Sequence, residues 1–106
     1  MNESTYASQV GARMRVVRGA LGLSLRDAGT HFHGRKGGKY GVGIGAWERG
    51  DRDLRAEDLA AYARFLGVPV RLLLPPADDQ PDELGPVVAA MAAGRALRDL
   101  SQLEAS

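Results

Sequence analysis

The sequence predicts an all-α protein in which five short helices precede a longer helix near the C-terminus. Apolar residues recur at intervals of three and four in successive segments, which is the spacing of one buried helix face. Glycine or proline follows most of these segments, at positions where helices usually end. With 44% apolar and 25% charged residues, the 106-residue chain has the composition of one small globular domain, with or without an appendage.

The first two helices are predicted from an apolar stripe and from a capping signal. The first covers about 6–21, and its apolar residues share one face: Val10, Met14, Val17 and Leu21. Gly22 stands at its end. Ser24 is an N-cap candidate for the second helix, with Asp27 three residues later as its capping-box partner. The second helix should be short, because Gly34 ends it.

Residues 34–41 are predicted to form a loop in which four glycines alternate with three cations. A third helix should begin near 40–42 and end at Gly50, with Ile44 and Trp47 pointing inward. Each glycine inside such a helix costs about 1 kcal/mol relative to alanine. Something other than intrinsic helix stability has therefore selected the glycines of this segment.

The later helices are predicted from the same two features, an apolar face at helical spacing and a glycine or proline at the helix end. A fourth helix is predicted over about 56–66 and ends at Gly67, and Pro69 suits the start of a fifth short helix that ends before Pro75. The predicted organisation is a helix-turn-helix domain over 1–75, an acidic proline-containing linker over 76–85 and a C-terminal helix over 86–106.

The last helix has two possible roles. Leu84, Val87 and Met91 share one side, whereas Leu97, Leu100 and Leu103 fall on another. The helix could pack back on the domain, or its second half could form a dimer with a partner.

Charge divides the chain into two halves of opposite sign. Residues 1–55 hold ten Lys or Arg against five Asp or Glu, whereas residues 56–106 hold four against eight. The basic residues bracket the second and third helices, so we expect this part to meet a polyanion. The sequence has no cysteine, which excludes disulfides and thiolate metal sites. It shows no signal peptide and no apolar stretch approaching the roughly 20 residues of a membrane span. We therefore predict a cytoplasmic protein without membrane association.

The segment from Val10 to Leu74 resembles the Cro/repressor-like helix-turn-helix family, also called the XRE family, and within it the BldD-type regulators of actinobacteria. The segments that carry the resemblance are Leu21-Gly22-Leu23-Ser24, Trp47-Glu48-Arg49-Gly50, Leu59-Ala60, Leu66-Gly67-Val68-Pro69-Val70 and Leu73-Leu74. The resemblance implies a five-helix Cro/repressor-like domain, to which this chain adds a C-terminal helix. It also implies that the third helix faces base edges in the major groove and that Arg18 braces Glu48.

Eleven residues are predicted to contact DNA. Loop cations would neutralise phosphates or pair with guanine, Tyr40 and Val42 would face base edges, and the glycines would let the backbone approach closely. By family resemblance, cations after the third helix and in the first turn of the second would contact the DNA backbone. The full set is Arg26, Arg35, Lys36, Lys39, Tyr40, Gly41, Val42, Gly43, Ala46, Arg49 and Arg52.

No catalytic constellation is recognisable, so we predict a protein that is not an enzyme and has no cofactor. His31 and His33 are two possible ligands without a third, which makes a poor metal site, and we expect surface histidines. The sequence predicts a sequence-specific regulator of transcription, most simply a repressor, that binds double-stranded DNA as a homodimer on an inverted repeat. The alternative is a protein-interaction module, antitoxin-like or sigma-factor-binding, that uses the acidic linker and last helix.

Overall fold

The structure, a computed structural model, describes residues 5–33, 37–52 and 54–105, and within them all side chains except those of 33, 37–42, 101 and 103–105. The described ranges contain five α-helices, a short 3₁₀ turn and no strand. The elements in order are α1 (Tyr6–Ala20), α2 (Leu25–His33), α3 (Gly37–Arg49), α4 (Ala56–Leu66), the 3₁₀ turn (Val70–Leu73) and α5 (Leu84–Ala105). The predicted all-α class is confirmed.

Two helices begin earlier than the sequence predicted. Helix α3 starts at Gly37, so the loop expected over 34–41 is wrong for 37–41. Helix α3 packs more extensively against α2 than any other two described helices pack on each other. This packing outweighs the low helix propensity of the glycines. Helix α5 starts at Leu84 instead of 86, because the Asp82 carboxylate accepts a hydrogen bond from the Leu84 amide at 3.0 Å.

The turn between α1 and α2 has the predicted capping box. The Asp27 amide donates to Ser24 Oγ at 2.9 Å, and the Ser24 amide donates back to Asp27 Oδ2 at 3.4 Å. Hydrogen bonds to the Asp27 carboxylate from the side chain and the amide of Ser24 lower the pKa of Asp27. The start of α2 is thus fixed by residues within one helical turn of each other.

The core lies where α1, α3, α4 and the 3₁₀ turn meet. Its fully buried large side chains are Met14, Val17, Ile44, Tyr62 and Leu73. Beside it, Phe32 meets Tyr62 edge-on with ring centroids 5.1 Å apart, and Trp47 meets Tyr62 at 6.1 Å. Trp47 is therefore partly buried and packs against the core, which agrees with its predicted inward position.

Helices α1 and α3 cross at very close range. A Cβ placed on Gly11 would lie 2.3 Å from the carbonyl oxygen of Trp47 and 2.4 Å from that of Glu48. Gly50, which ends α3 with a φ of +77°, is equally constrained, since its Cβ would lie 2.7 Å from Ser8 Cα. These two glycines let the backbone of α1 lie directly against the C-terminal half of α3.

A buried ion pair joins the same two helices. Arg18 Nε donates to Glu48 Oε2 at 2.6 Å and Arg18 Nη2 donates to Oε1 at 3.0 Å. The remaining Nη1 donates to the Leu23 carbonyl at 2.6 Å, and Glu48 is only 8% exposed. The predicted bracing role of this pair is confirmed, and it extends to the turn that precedes α2.

The segment before α5 is attached to the domain by Arg13. Its Nη1 and Nη2 donate to the two carboxylate oxygens of Asp82 at 3.0 and 2.9 Å, and its Nε donates to the Leu72 carbonyl at 2.9 Å. Hydrogen bonds from the Arg13 guanidinium and the Leu84 amide lower the pKa of Asp82 to about 2. The acidic segment is thus fastened to α1 and to the 3₁₀ turn.

The first half of α5 packs on the domain, whereas the described leucines of the second half are exposed. Leu84 is buried, and Val87, Val88 and Met91 pack against the core. Leu97 and Leu100 are 67% and 58% exposed. No helix in the described part of the chain is long and apolar enough to cross a bilayer.

We predict that Arg18→Met lowers the free energy of unfolding by about 3–5 kcal/mol, because it leaves the Glu48 carboxylate buried without its counter-ion. The double variant Arg18→Met/Glu48→Leu should recover most of that loss. Urea titration followed by the fluorescence of Trp47, the single tryptophan, measures both. The matched control is Arg49→Met, which removes an exposed partner of Asp51 and should cost less than about 1 kcal/mol. Equal costs for the two arginine variants would contradict the bracing role.

We further predict that Asp82 makes stability depend on pH in the acid range. The folded pKa is lowered, so the contribution of its contacts is complete above the unfolded pKa of ~3.9 and is lost as pH falls toward about 2. The difference in free energy of unfolding between the native chain and Asp82→Asn should be constant above pH ~5 and shrink toward zero near pH ~2. The control Asp79→Asn should show little difference at any pH. A difference that persists unchanged at pH ~2 would refute the role of the Asp82 carboxylate.

Candidate nucleic-acid interface

Helices α2 and α3 form the helix-turn-helix unit, and α1 braces the C-terminal end of α3. By helical spacing, positions 39, 42, 46 and 49 fall on one side of α3. The exposed Arg49 marks this side as the one turned away from Ile44 and the core.

The described ranges include only part of the predicted interface. Arg35 and Lys36 lie outside them. Positions 39–42 lie in the first turns of α3, so Lys39 is a helical residue and not a loop residue as predicted, while Tyr40 is helical as its predicted place at the start of the third helix requires. The side chains of Lys39, Tyr40 and Val42 are not among those that the structure describes.

Gly43 and Gly45 differ in what surrounds them. A Cβ on Gly43 would meet no atom within 4 Å, so nothing in the described fold requires a glycine there. A Cβ on Gly45 would lie 3.1 Å from Arg49 Nη1 and 3.5 Å from Leu25 Cδ1. A side chain at position 45 would press on the end of the exposed Arg49 side chain, whereas at position 43 no described atom lies in its way.

Ala46 leaves little exposed surface for the predicted contact with bases. It is 8% exposed, so its methyl group is packed within the protein surface although its position lies on the same side as Arg49. Such a methyl group offers little surface to a base edge, and the contact of Ala46 with bases stays a prediction.

A polar groove runs between α1, α2 and α3 and brings several cations together. It is lined by Arg15, Arg18, Leu25, Gly45, Glu48 and Arg49. The Arg18 guanidinium is committed to Glu48, while Arg15 is exposed. Arg15 was missed in the sequence analysis, although its place one turn before Arg18 on α1 was a signal that the two belong together.

The other predicted cations are exposed at different places. Arg49 Nε lies 2.9 Å from Asp51 Oδ2, and the two side chains are 60% and 61% exposed. Arg26 is exposed in the first turn of α2. Arg52 is exposed too, but it lines an apolar depression with Tyr6 and Leu59, apart from the polar groove. The structure thus groups Arg49 with Arg15 and does not bring Arg52 into that groove.

The described side chains include no group of three or more His, Asp or Glu that could hold a metal ion. His31 is exposed, and the His33 side chain lies outside the description.

Comparison with known proteins gives two similar solved structures. The S. venezulae BldD DNA-binding domain is 44% identical with a TM-score of 0.59, covering 66% of this chain and 97% of that domain. A crystal structure of the DNA-binding domain of BldD is 43% identical with a TM-score of 0.61, covering 70% of this chain and 100% of that domain. No protein-family model and no curated protein matches the chain.

Both similar structures are DNA-binding domains, which agrees with the non-enzymatic protein predicted from the sequence. The similar region covers nearly the full length of each of these domains, and both share the all-helical architecture of this chain. The chain belongs to the BldD-like family of helix-turn-helix DNA-binding domains.

Proposed function

We propose that this protein is a sequence-specific regulator of transcription, acting as a repressor, that binds double-stranded DNA through α3 and the basic residues before it. The observation that carries the proposal is the likeness to the BldD DNA-binding domain over nearly all of that domain. The excess of cations in residues 1–55 adds to it, because phosphates attract such a surface irrespective of sequence.

Phosphates are contacted by cationic side chains that have few interactions to give up within the protein. Arg15 and Arg26 are exposed, and the Arg49–Asp51 pair is a solvent-exposed ion pair of a kind worth about 0–1 kcal/mol. Arg49 can therefore exchange the Asp51 carboxylate for a phosphate with little loss of stability. Arg18 cannot, since it is held by Glu48.

Base recognition belongs to the first turns of α3. In a helix-turn-helix protein the N-terminal residues of the second helix of the motif contact base edges in the major groove. In this chain those positions hold Lys39, Tyr40 and Val42, and Arg35 and Lys36 precede them. Lys and Arg pair with guanine, and valine can contact the thymine methyl group.

The active form is a homodimer on an inverted repeat in the cytoplasm, with no cofactor. Two-fold symmetry of the protein then matches two half-sites about one helical turn, roughly 34 Å, apart.

We predict that Lys36→Ala, Lys39→Ala and Arg49→Ala each weaken binding to all duplexes and reduce the slope of log K against log salt by about 1. Tyr40→Ala and Arg35→Ala should change which sequences are preferred. Genomic fragments captured by the purified chain supply the duplexes, and fluorescence anisotropy over a range of salt concentrations gives the slopes.

The matched control is Arg64→Ala, which removes an exposed cation from α4 and should leave the slope unchanged. Equal affinity for every duplex, insensitive to all five substitutions in and beside α3, would refute the proposed interface.

We also predict opposite effects of Gly43→Ala on stability and on DNA affinity. The added methyl group meets no atom within 4 Å, so the free energy of unfolding should rise by about 0.5–1 kcal/mol through higher helix propensity. If the α3 backbone lies close to DNA at this point, the same methyl group should weaken specific binding by at least ~10-fold, equivalent to ~1.4 kcal/mol.

The control is Gly94→Ala on α5, where the new Cβ makes only an ordinary 3.7 Å contact with Arg98 Nη1. It should raise stability and leave DNA affinity unchanged. Unchanged affinity in Gly43→Ala would exclude a close backbone approach at position 43.

A further inference from the structure

Helix α5 carries two apolar faces, and only one of them is covered by its own domain. The covered face holds Leu84, Val87, Val88 and Met91. A second apolar face lies about 180° around the helix, given the helical advance of roughly 100° per residue. We call it the alanine–leucine face, and its members are Ala90, Ala93, Ala96, Leu97, Leu100 and, by helical position, Leu103.

The alanine–leucine face is exposed along its described length. Every member up to Leu100 is exposed. Among the described large apolar side chains Leu97 is the most exposed, and Leu100 comes third after Tyr6. The charged residues Arg95, Arg98 and Asp99 lie elsewhere around the helix, so the face carries no charge from position 89 to position 103; Glu104, in the last turn, is the charged residue that falls on it.

The second half of α5 also extends past the body of the domain. Helix α5 runs along α1 in the same direction, since Asp82 meets Arg13 and the Arg95 guanidinium lies over Gly22. A Cβ on Gly22 would be 2.7 Å from Arg95 Cζ. Because α1 ends at Ala20, the turns of α5 after Arg95 lie beyond it, where short helical segments without packing are marginally stable in water.

We infer that the alanine–leucine face is the surface on which a second copy of this chain pairs, α5 against α5 in antiparallel orientation. The alanines come first along the helix and the leucines last, so reversing one copy places large side chains over small ones. In this register Leu97 faces Ala96, Leu100 faces Ala93 and position 103 faces Ala90. A surface that complements itself under a two-fold rotation is what an isologous dimer requires.

The size and charge of the face favour a second copy with moderate affinity. Two such faces meeting over four helical turns bury on the order of 1,000 Å² in total, at the lower end of specific interfaces. The charged residue that falls on this side by helical position, Glu104, lies in the last turn, and antiparallel pairing places its two copies at opposite ends of the contact, so no like charges meet. The contact between two copies of α5 does not depend on DNA. Only its role on an inverted repeat rests on the proposed function.

Sedimentation equilibrium of the full chain tests the pairing. We expect a monomer–dimer equilibrium with a Kd of about 1–100 μM, and Leu97→Glu/Leu100→Glu should raise that Kd at least ~50-fold because carboxylates would be buried without partners. The control Arg98→Glu makes the same change in net charge on the neighbouring side of the helix and should leave the Kd unchanged. A native chain that stays monomeric at ~500 μM, or a dimer indifferent to the double variant, overturns the inference.

Single cysteines test the orientation, since the natural chain has none. Near the two-fold axis Ala96→Cys should form an intermolecular disulfide with itself under mild oxidation, whereas Ala90→Cys should not, because the two copies of position 90 lie about 20 Å apart. Efficient cross-linking at position 90 would overturn the antiparallel arrangement.

DNA affinity separates this inference from the proposed function. If the pairing is correct, the double variant should bind a single half-site duplex as the native chain does and lose only cooperative binding to the inverted repeat. A chain that dimerises through α5 but binds no duplex would refute the proposed function and leave the pairing intact. A chain that binds the inverted repeat with cooperativity unaffected by the double variant would refute the pairing alone.

Discussion

The buried pair between Arg18 and Glu48 is the constraint on which the helix-turn-helix arrangement depends. It joins the end of α1 to the end of α3, and through the Leu23 carbonyl it also holds the turn that precedes α2. A buried pair of this kind adds little net stability over apolar packing, but losing either partner leaves the other charge buried and unpaired. The crossing at Gly11 brings the backbones of the same two helices into close contact.

The glycine content of α3 reflects two different demands within one helix. A side chain at position 45 would press on the end of the exposed Arg49 side chain, over the groove that Arg15 also lines. Gly43 has no such neighbour among the described residues, and a bare helix surface there is consistent with a close external partner. Helix α3 can hold five glycines because its order comes from packing against α2 and α1 instead of from its own propensity.

The features that could be predicted from the sequence are those encoded within one or two helical turns. The Ser24–Asp27 capping box and the helix-ending glycines at 22, 50 and 67 are local hydrogen-bond and dihedral requirements, and the structure shows them as predicted. The bounds of α4 and the inward position of Trp47 against the core follow from apolar periodicity. The residue types of the proposed interface could be named from the sequence too, because basic and small residues are recognised without any knowledge of the fold.

The sequence by itself determined the helices, their caps and the family of this protein, whereas the tertiary structure decided where α3 begins, which side chains face outward and how α5 is divided. Arg13 and Asp82 are 69 residues apart, and no periodicity indicates that they meet. Ala46 is buried on a side of α3 that spacing alone assigns to the surface, and Arg15 joins Arg49 only through the crossing of two helices. Contacts between distant segments gain their free energy from surfaces that exist only once the helices have packed, and for that reason they leave no local signal.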